Sequence, residues 1–136
     1  MLHEHQNVEQ SPVVQVPQEV NRNELLLALY ASAIRNVRQA KEEIDEGQKT
    51  AEEILSLGKA YWIIEHFIAS LDAKAAPQLC ADLESMYHSM MAHMTEAYST
   101  MNSEPLVPVI AALESLHETW KEAIAIATGE QAVCQA

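Results

Sequence analysis

The chain has 136 residues, 49% of them hydrophobic, with 3 glycines, 5 prolines and a formal net charge of -12. This length supports one domain that buries roughly two thirds of its unfolded surface, and the scarcity of turn formers suits helices better than a β-sandwich. The acidic balance excludes nucleic acid and anionic membrane surfaces as partners, because both require a basic patch.

No apolar run approaches the ~18 residues of a membrane span. The opening MLHEHQ has neither a basic n-region nor an apolar h-region, so no secretory signal is expected. Cys80 and Cys134 lie far apart and form no metal or redox motif, which reads as reduced thiols in a cytoplasmic protein.

Residues 1–20 hold Pro12, Pro17, Val13, Val14 and Val16 among many Gln and His, with no sustained helical period. They are expected to form an extended or disordered N-terminal arm. A bundle over 21–129 and a short C-terminal tail over 130–136 complete the expected organisation. The first helix is predicted from Asn23, a candidate N-cap, with Leu26, Leu29 or Tyr30, Ala33, Val37, Ala40 and Ile44 on one face. Gly47 is its expected stop, after a solvated last turn KEEIDE.

The second helix carries a capping-box pattern, Thr50 with Glu53. Its stripe is Ile54, Leu57, Tyr61, Ile64, Ile68 and Leu71, yet Leu55, Trp62, Ile63 and Phe67 are apolar as well. Ile63 lies on a row that is otherwise polar or small: Glu52, Ser56, Lys59, His66 and Ser70. The third helix begins at Pro77, tolerated in a first turn. Its expected core row is Leu79, Leu83, Met86, Met90, Met94, Ala97 and Met101, beside a second row of Cys80, Tyr87, Met91 and Tyr98. The fourth starts near SEPLVP with Ser103 as cap. It aligns Leu106, Val109, Leu113, Leu116, Trp120 and Ala127, is flanked by Ile110 and Ile124, and is expected to stop at Gly129. Helices of about 20 residues joined by short links predict an all-α, antiparallel four-helix bundle.

MYHSMMAHM, residues 86–94, raises the question of a soft-metal site. His88 and His93 are five residues apart and point about 140° apart around a helix, so they cannot grip one ion as an i, i+4 pair would. A di-iron bundle needs two Glu-x-x-His pairs and two further core glutamates. The chain offers one such pair, Glu114 with His117, beside its stripe, while Glu65 and His66 are adjacent and diverge. Met1-Leu2-His3 would supply an amine, two amides and an imidazole to copper or nickel, so a metal-handling bundle is the alternative reading. With no glycine-rich loop, no G-x-S-x-G and no base in pattern with either cysteine, neither an enzyme nor a cofactor is expected.

What remains is surplus apolar surface. Leu55, Trp62 and Ile63 on the second helix, with Tyr87, Met91 and Tyr98 on the third, exceed the needs of a core and form the candidate client-binding groove. Met and aromatic side chains suit a surface that adapts to a long apolar segment. The same residues would also serve splayed helices, a folded-back arm or a subunit interface.

The stretch LLLALYASAIRNVRQAKEEIDEG (25–47) is similar to the first helix of the flagellar secretion chaperones, the FliS family, where a Leu-Tyr pair precedes Ala-Ile-Arg, here Ala33, Ile34 and Arg35. Ser-Leu-Asp at 70–72 resembles the turn closing the family's second helix. Leu83, Met86 and Tyr87 resemble the middle of the third, and LHETWKEAI (116–124), with Trp120, the last. The resemblance covers residues 20–128. It implies a cytoplasmic bundle that holds the C-terminal segment of flagellin, one to one, prevents premature polymerisation and delivers the subunit to the export apparatus, with a possible co-chaperone on another face. It also implies an arm able to cover part of the binding surface. The chain departs from the pattern at Arg22 and Asn23, where the family has Ser-Pro, at Ala31 and Ser32, where it has Asp-Gly, and in lacking a tyrosine in the arm.

Overall fold

The computed structural model describes the backbone of residues 18–47 and 55–135 and the side chains of 22–47 and 55–127. It contains α1 (Gln18–Asp45), α2 (Leu55–Ala69), α3 (Pro77–Thr100) and α4 (Leu106–Gln135). The capping pair Thr50 and Glu53, Ile54, Met1-Leu2-His3 and most of the expected arm lie outside the described residues.

Several helix ends differ from the expectation. α1 already includes Gln18, Glu19 and Val20, and Asn23 is internal rather than a cap. No Gly or Pro stands between Pro17 and Gly47, so nothing stops the helix from running back past its first apolar residue. Its C-terminal end follows the expectation. Gly47 takes a φ of +90° and its N–H donates to the Ile44 carbonyl at 3.0 Å, a backbone state that favours glycine.

Ser103 does not cap α4 with its side chain. The hydroxyl donates to Asp45 Oδ1 at 2.5 Å, joining the end of α1 to the start of α4. That bond, together with Lys41 at 3.0 Å, holds the Asp45 carboxyl below its ordinary pKa. Nor does Gly129 end α4, which continues to Gln135. An interior glycine disfavours a helix by only about 1 kcal/mol relative to alanine, too little to stop one with no proline behind it.

Each helix packs against two others: α1 on α2, α2 on α3, α3 on α4, and α4 back on α1. The pairings run antiparallel. Tyr30 and Glu43 of α1 meet Phe67 and Ser56 of α2 in reverse order. Tyr30, Arg38 and Asp45 meet Trp120, Glu114 and Ser103 in the same reversed sense.

The core comprises Tyr30, Ala33, Val37, Ala40 and Ile44 of α1, as expected, joined by Leu106, Val109 and Leu113 of α4. α2 and α3 are rotated relative to the expectation. α2 buries Ser56, Leu57, Ala60, Ile63, Ile64 and Phe67, leaving Tyr61, Ile68 and Leu71 half-buried. Two of these buried residues, Ser56 and Ala60, are small, and Ser56 Oγ donates to Glu43 of α1 at 3.2 Å; small side chains at a contact let helices approach closely. α3 buries Cys80, Leu83, Tyr87, Met90, Met94 and Ala97. Leu79 and Met86, placed in the core by spacing, are exposed.

Tyr87 can occupy the interior because its hydroxyl has a partner there. Tyr30 and Tyr87 pair through their hydroxyls at 2.5 Å, and Trp120 Nε1–H donates to Tyr30 Oη at 3.1 Å. The Tyr30 ring stacks on Phe67 at 4.5 Å, and Phe67 packs on Tyr87 at 5.5 Å. All four helices meet in this cluster. Burial pushes the pKa of both phenols above the ordinary range, so both remain neutral hydrogen-bonding groups near pH 7.

The rotation of α3 separates two methionines that spacing had treated alike. Met90→Ala is expected to reduce unfolding free energy by roughly 2–5 kcal/mol, whereas Met86→Ala, at a site 39% exposed, should change it by less than about 0.5 kcal/mol. Urea unfolding of the two variants checks this, and equal losses would contradict the assigned face.

Candidate client-binding surface

α2 is the helix around which the apolar surface is organised. Its inner face is buried between α1 and α3, while Leu55 and Trp62 stand outward, Trp62 being 62% exposed. A stack with His66, ring centroids 5.7 Å apart, gives the indole one neighbour on its own helix. Burying so large a ring would release far more free energy than its present contacts supply.

Two clefts flank this ridge. One, of about 260 Å³, lies between α2 and α3 and is lined by Leu55, Leu57, Gly58, Tyr61, Met94, Thr95 and Tyr98. The other, of about 500 Å³, lies between α1 and α2, where Leu29, Ser32 and Asn36 face Leu55, Gly58, Lys59, Trp62 and Ile63. Leu55 and Gly58 line both clefts, which makes one continuous surface across α2. A Cβ added at Gly58 would meet no atom within 4 Å, so the glycine leaves an open floor beneath the ridge. A third cleft, of about 310 Å³, lies between α3 and α4 and is lined in part by Met86, His93, Pro108 and Ala112.

The six residues singled out from the sequence divide three ways. Leu55, Trp62 and Tyr98 are exposed and border the clefts. Met91 is half-buried against the core, on the same row as Tyr98 and two turns before it. Ile63 and Tyr87 are not surplus surface: they are 5% and 3% exposed. Ile63 contributes only an edge to the floor of the α1–α2 cleft, and Tyr87 is bonded to Tyr30 in the interior. Leu29, Leu57, Gly58, Tyr61 and Met94 line the clefts without having been singled out. Their signal lay in which helices touch, and a single helix's periodicity does not carry that.

The polar residues weighed for metal chemistry are dispersed. His88 sits 3.6 Å from Glu84 on the same helix, and His93 Nδ1 lies 2.7 Å from the Ser89 carbonyl. Glu114 pairs with Arg38, and His117 lies against the Tyr30 ring, centroids 6.3 Å apart. Among the described residues no three metal-ligating side chains converge. Among them, too, no helix is long and apolar enough to cross a membrane.

A closed helical bundle with apolar clefts on both sides of one exposed ridge has the surface type, concave and mostly apolar, on which ligands and helical segments commonly dock. The family model described as flagellar protein FliS matches residues 5–127 of the chain. A comparison with curated proteins gives no match. The chain belongs to the FliS family, a family of flagellar chaperones, and a role in building the bacterial flagellum comes with that membership.

Proposed function

We propose that the chain is a cytoplasmic export chaperone for flagellin. The client's C-terminal segment, disordered in the free subunit, folds into helices on the clefts flanking α2, with one client per chaperone. Held there, the segment cannot join a growing filament, and the subunit is handed to the export apparatus. A co-chaperone would find room on the α3–α4 face. No catalytic turnover and no cofactor enter this scheme.

The observation that carries the reading is the pairing of exposed Leu55 and Trp62 with a cleft on each side. Ordering a disordered segment costs about 2–5 kcal/mol, and apolar burial on such a surface is the force able to offset it. Calorimetric titration with a peptide from the C-terminal end of the host's flagellin tests it. Binding at one to one with a negative heat-capacity change is expected; no heat and no complex would remove the proposal.

A further inference from the structure

We infer that the cleft between α1 and α2 receives the carboxylate end of the helical client, with Lys59 as its counter-ion. This rests on the flagellin-binding reading and specifies the direction in which the segment lies.

The inference starts from charge. The chain carries 20 acidic and 8 basic residues, yet none of the residues lining the α1–α2 cleft is acidic. Lys59 is the cation on that lining, and Ser32 and Asn36 are the other polar groups. Three other cations have local partners: Arg38 bonds Glu114, Lys41 bonds Asp45 and Lys121 lies near Glu118, whereas among the described residues Arg35 and Lys74, neither of which lines a cleft, have no acidic partner within 4 Å. Among the described residues no carboxylate lies within 4 Å of Lys59 Nζ. Its helical neighbours at three and four residues are Leu55, Ser56, Trp62 and Ile63, which offer no anion. Glu43, on the facing side of α1, accepts at Oε2 from Ser56 Oγ at 3.2 Å and from Gln39 at 3.3 Å, while its Oε1 is buried without a hydrogen-bond partner and lies more than 4 Å from Lys59 Nζ.

A helix that ends in a free carboxylate concentrates negative charge there, because its macrodipole adds about half an elementary charge of the same sign. On a molecule of net charge -12 most of the surface repels such an end. The α1–α2 cleft combines apolar walls for the last side chains with one ammonium for the terminal charge. The α2–α3 cleft, lined by no charged residue, suits an interior stretch of the same client. Lys59 thus sets polarity and register, while Leu55 and Trp62 supply the affinity.

The test uses two forms of the flagellin C-terminal peptide, one with a free terminal carboxylate and one amidated. They are titrated against the full chain and its Lys59→Gln and Lys74→Gln variants, after thermal melts confirm that all three fold alike. The free acid should bind the native chain roughly three- to fivefold more tightly at low salt, the range of a partly exposed ion pair. The difference should vanish in Lys59→Gln and persist in Lys74→Gln, whose lysine lies in the exposed α2–α3 link. Equal binding of both forms to the native chain would overturn the inference while leaving the flagellin reading intact. A difference retained in Lys59→Gln would also overturn it, by placing the carboxylate on another cation. Dependence on Lys59 only through an acidic side chain within the peptide would do the same. Failure of both forms to bind would remove the underlying flagellin reading itself.

Discussion

Replacing Leu55 and Trp62 together by glutamate is expected to abolish capture of the flagellin C-terminal segment while leaving the bundle folded. Both side chains already stand in solvent, so their loss removes little intramolecular packing, and stability should move by only about 0.5 kcal/mol. Binding is another matter. A tryptophan at the centre of an apolar interface typically contributes 2 kcal/mol or more, so Trp62→Ala alone should weaken the complex by about thirtyfold. Glutamate adds a carboxylate that must be desolvated beneath the client, on a chain that is already acidic. The pair of measurements is a thermal melt and a peptide titration of the same sample. Unchanged affinity with an unchanged melt would move the client site away from α2.

Tyr87→Ala is expected to do the opposite. Tyr87 lies on the sequence row that includes Met91 and Tyr98, but its ring packs against Phe67 and its hydroxyl against Tyr30. Truncation leaves a cavity at the point where all four helices meet, which should cost roughly 3–5 kcal/mol. In a domain whose whole stability is about 5–15 kcal/mol, that is a large fraction. Tyr87→Phe keeps the ring and removes only the hydroxyl, so its cost should be nearer 1 kcal/mol, with the Trp120 bond to Tyr30 left in place. Urea unfolding of the two variants should show a graded fall in midpoint at constant slope. Loss of client affinity in Tyr87→Ala without loss of stability would place the ring on the client surface instead.

The contrast between α1 and the middle helices explains what the sequence made legible. In α1, Tyr30, Ala33, Val37, Ala40 and Ile44 follow a single row, flanked by polar residues from Arg35 onward, and that row is the core. α2 is apolar around most of its circumference and α3 carries two adjacent apolar rows, so spacing alone allows more than one inward face. Counting Leu79 and Met86 as core, and Ile63 and Tyr87 as surplus, chose the wrong flank of each. What decides the question is the partner helix: Glu43 of α1, to which buried Ser56 donates, and a phenol 57 residues away that satisfies Tyr87. The ridge itself was visible, because Leu55 and Trp62 fall outside any stripe that also holds Leu57 and Ile64. The clefts were not visible, since each is bounded by two helices whose mutual rotation no single period encodes. Gly58 is the plainest case. As a sequence feature it is a weak point in a helix, and only the assembled surface shows it as the floor between two clefts.

The chain's two tryptophans make the most direct measurement possible. Trp62 stands on the ridge, and Trp120 is bonded to Tyr30 on the far side of the core. In a nitrogen-15 correlation spectrum each indole N–H gives its own resonance, assignable from Trp62→Phe and Trp120→Phe. Adding the flagellin C-terminal peptide should shift or broaden the Trp62 resonance in step with occupancy and leave that of Trp120 in place. A saturated complex in which Trp62 stays still would contradict the placement of the client on α2.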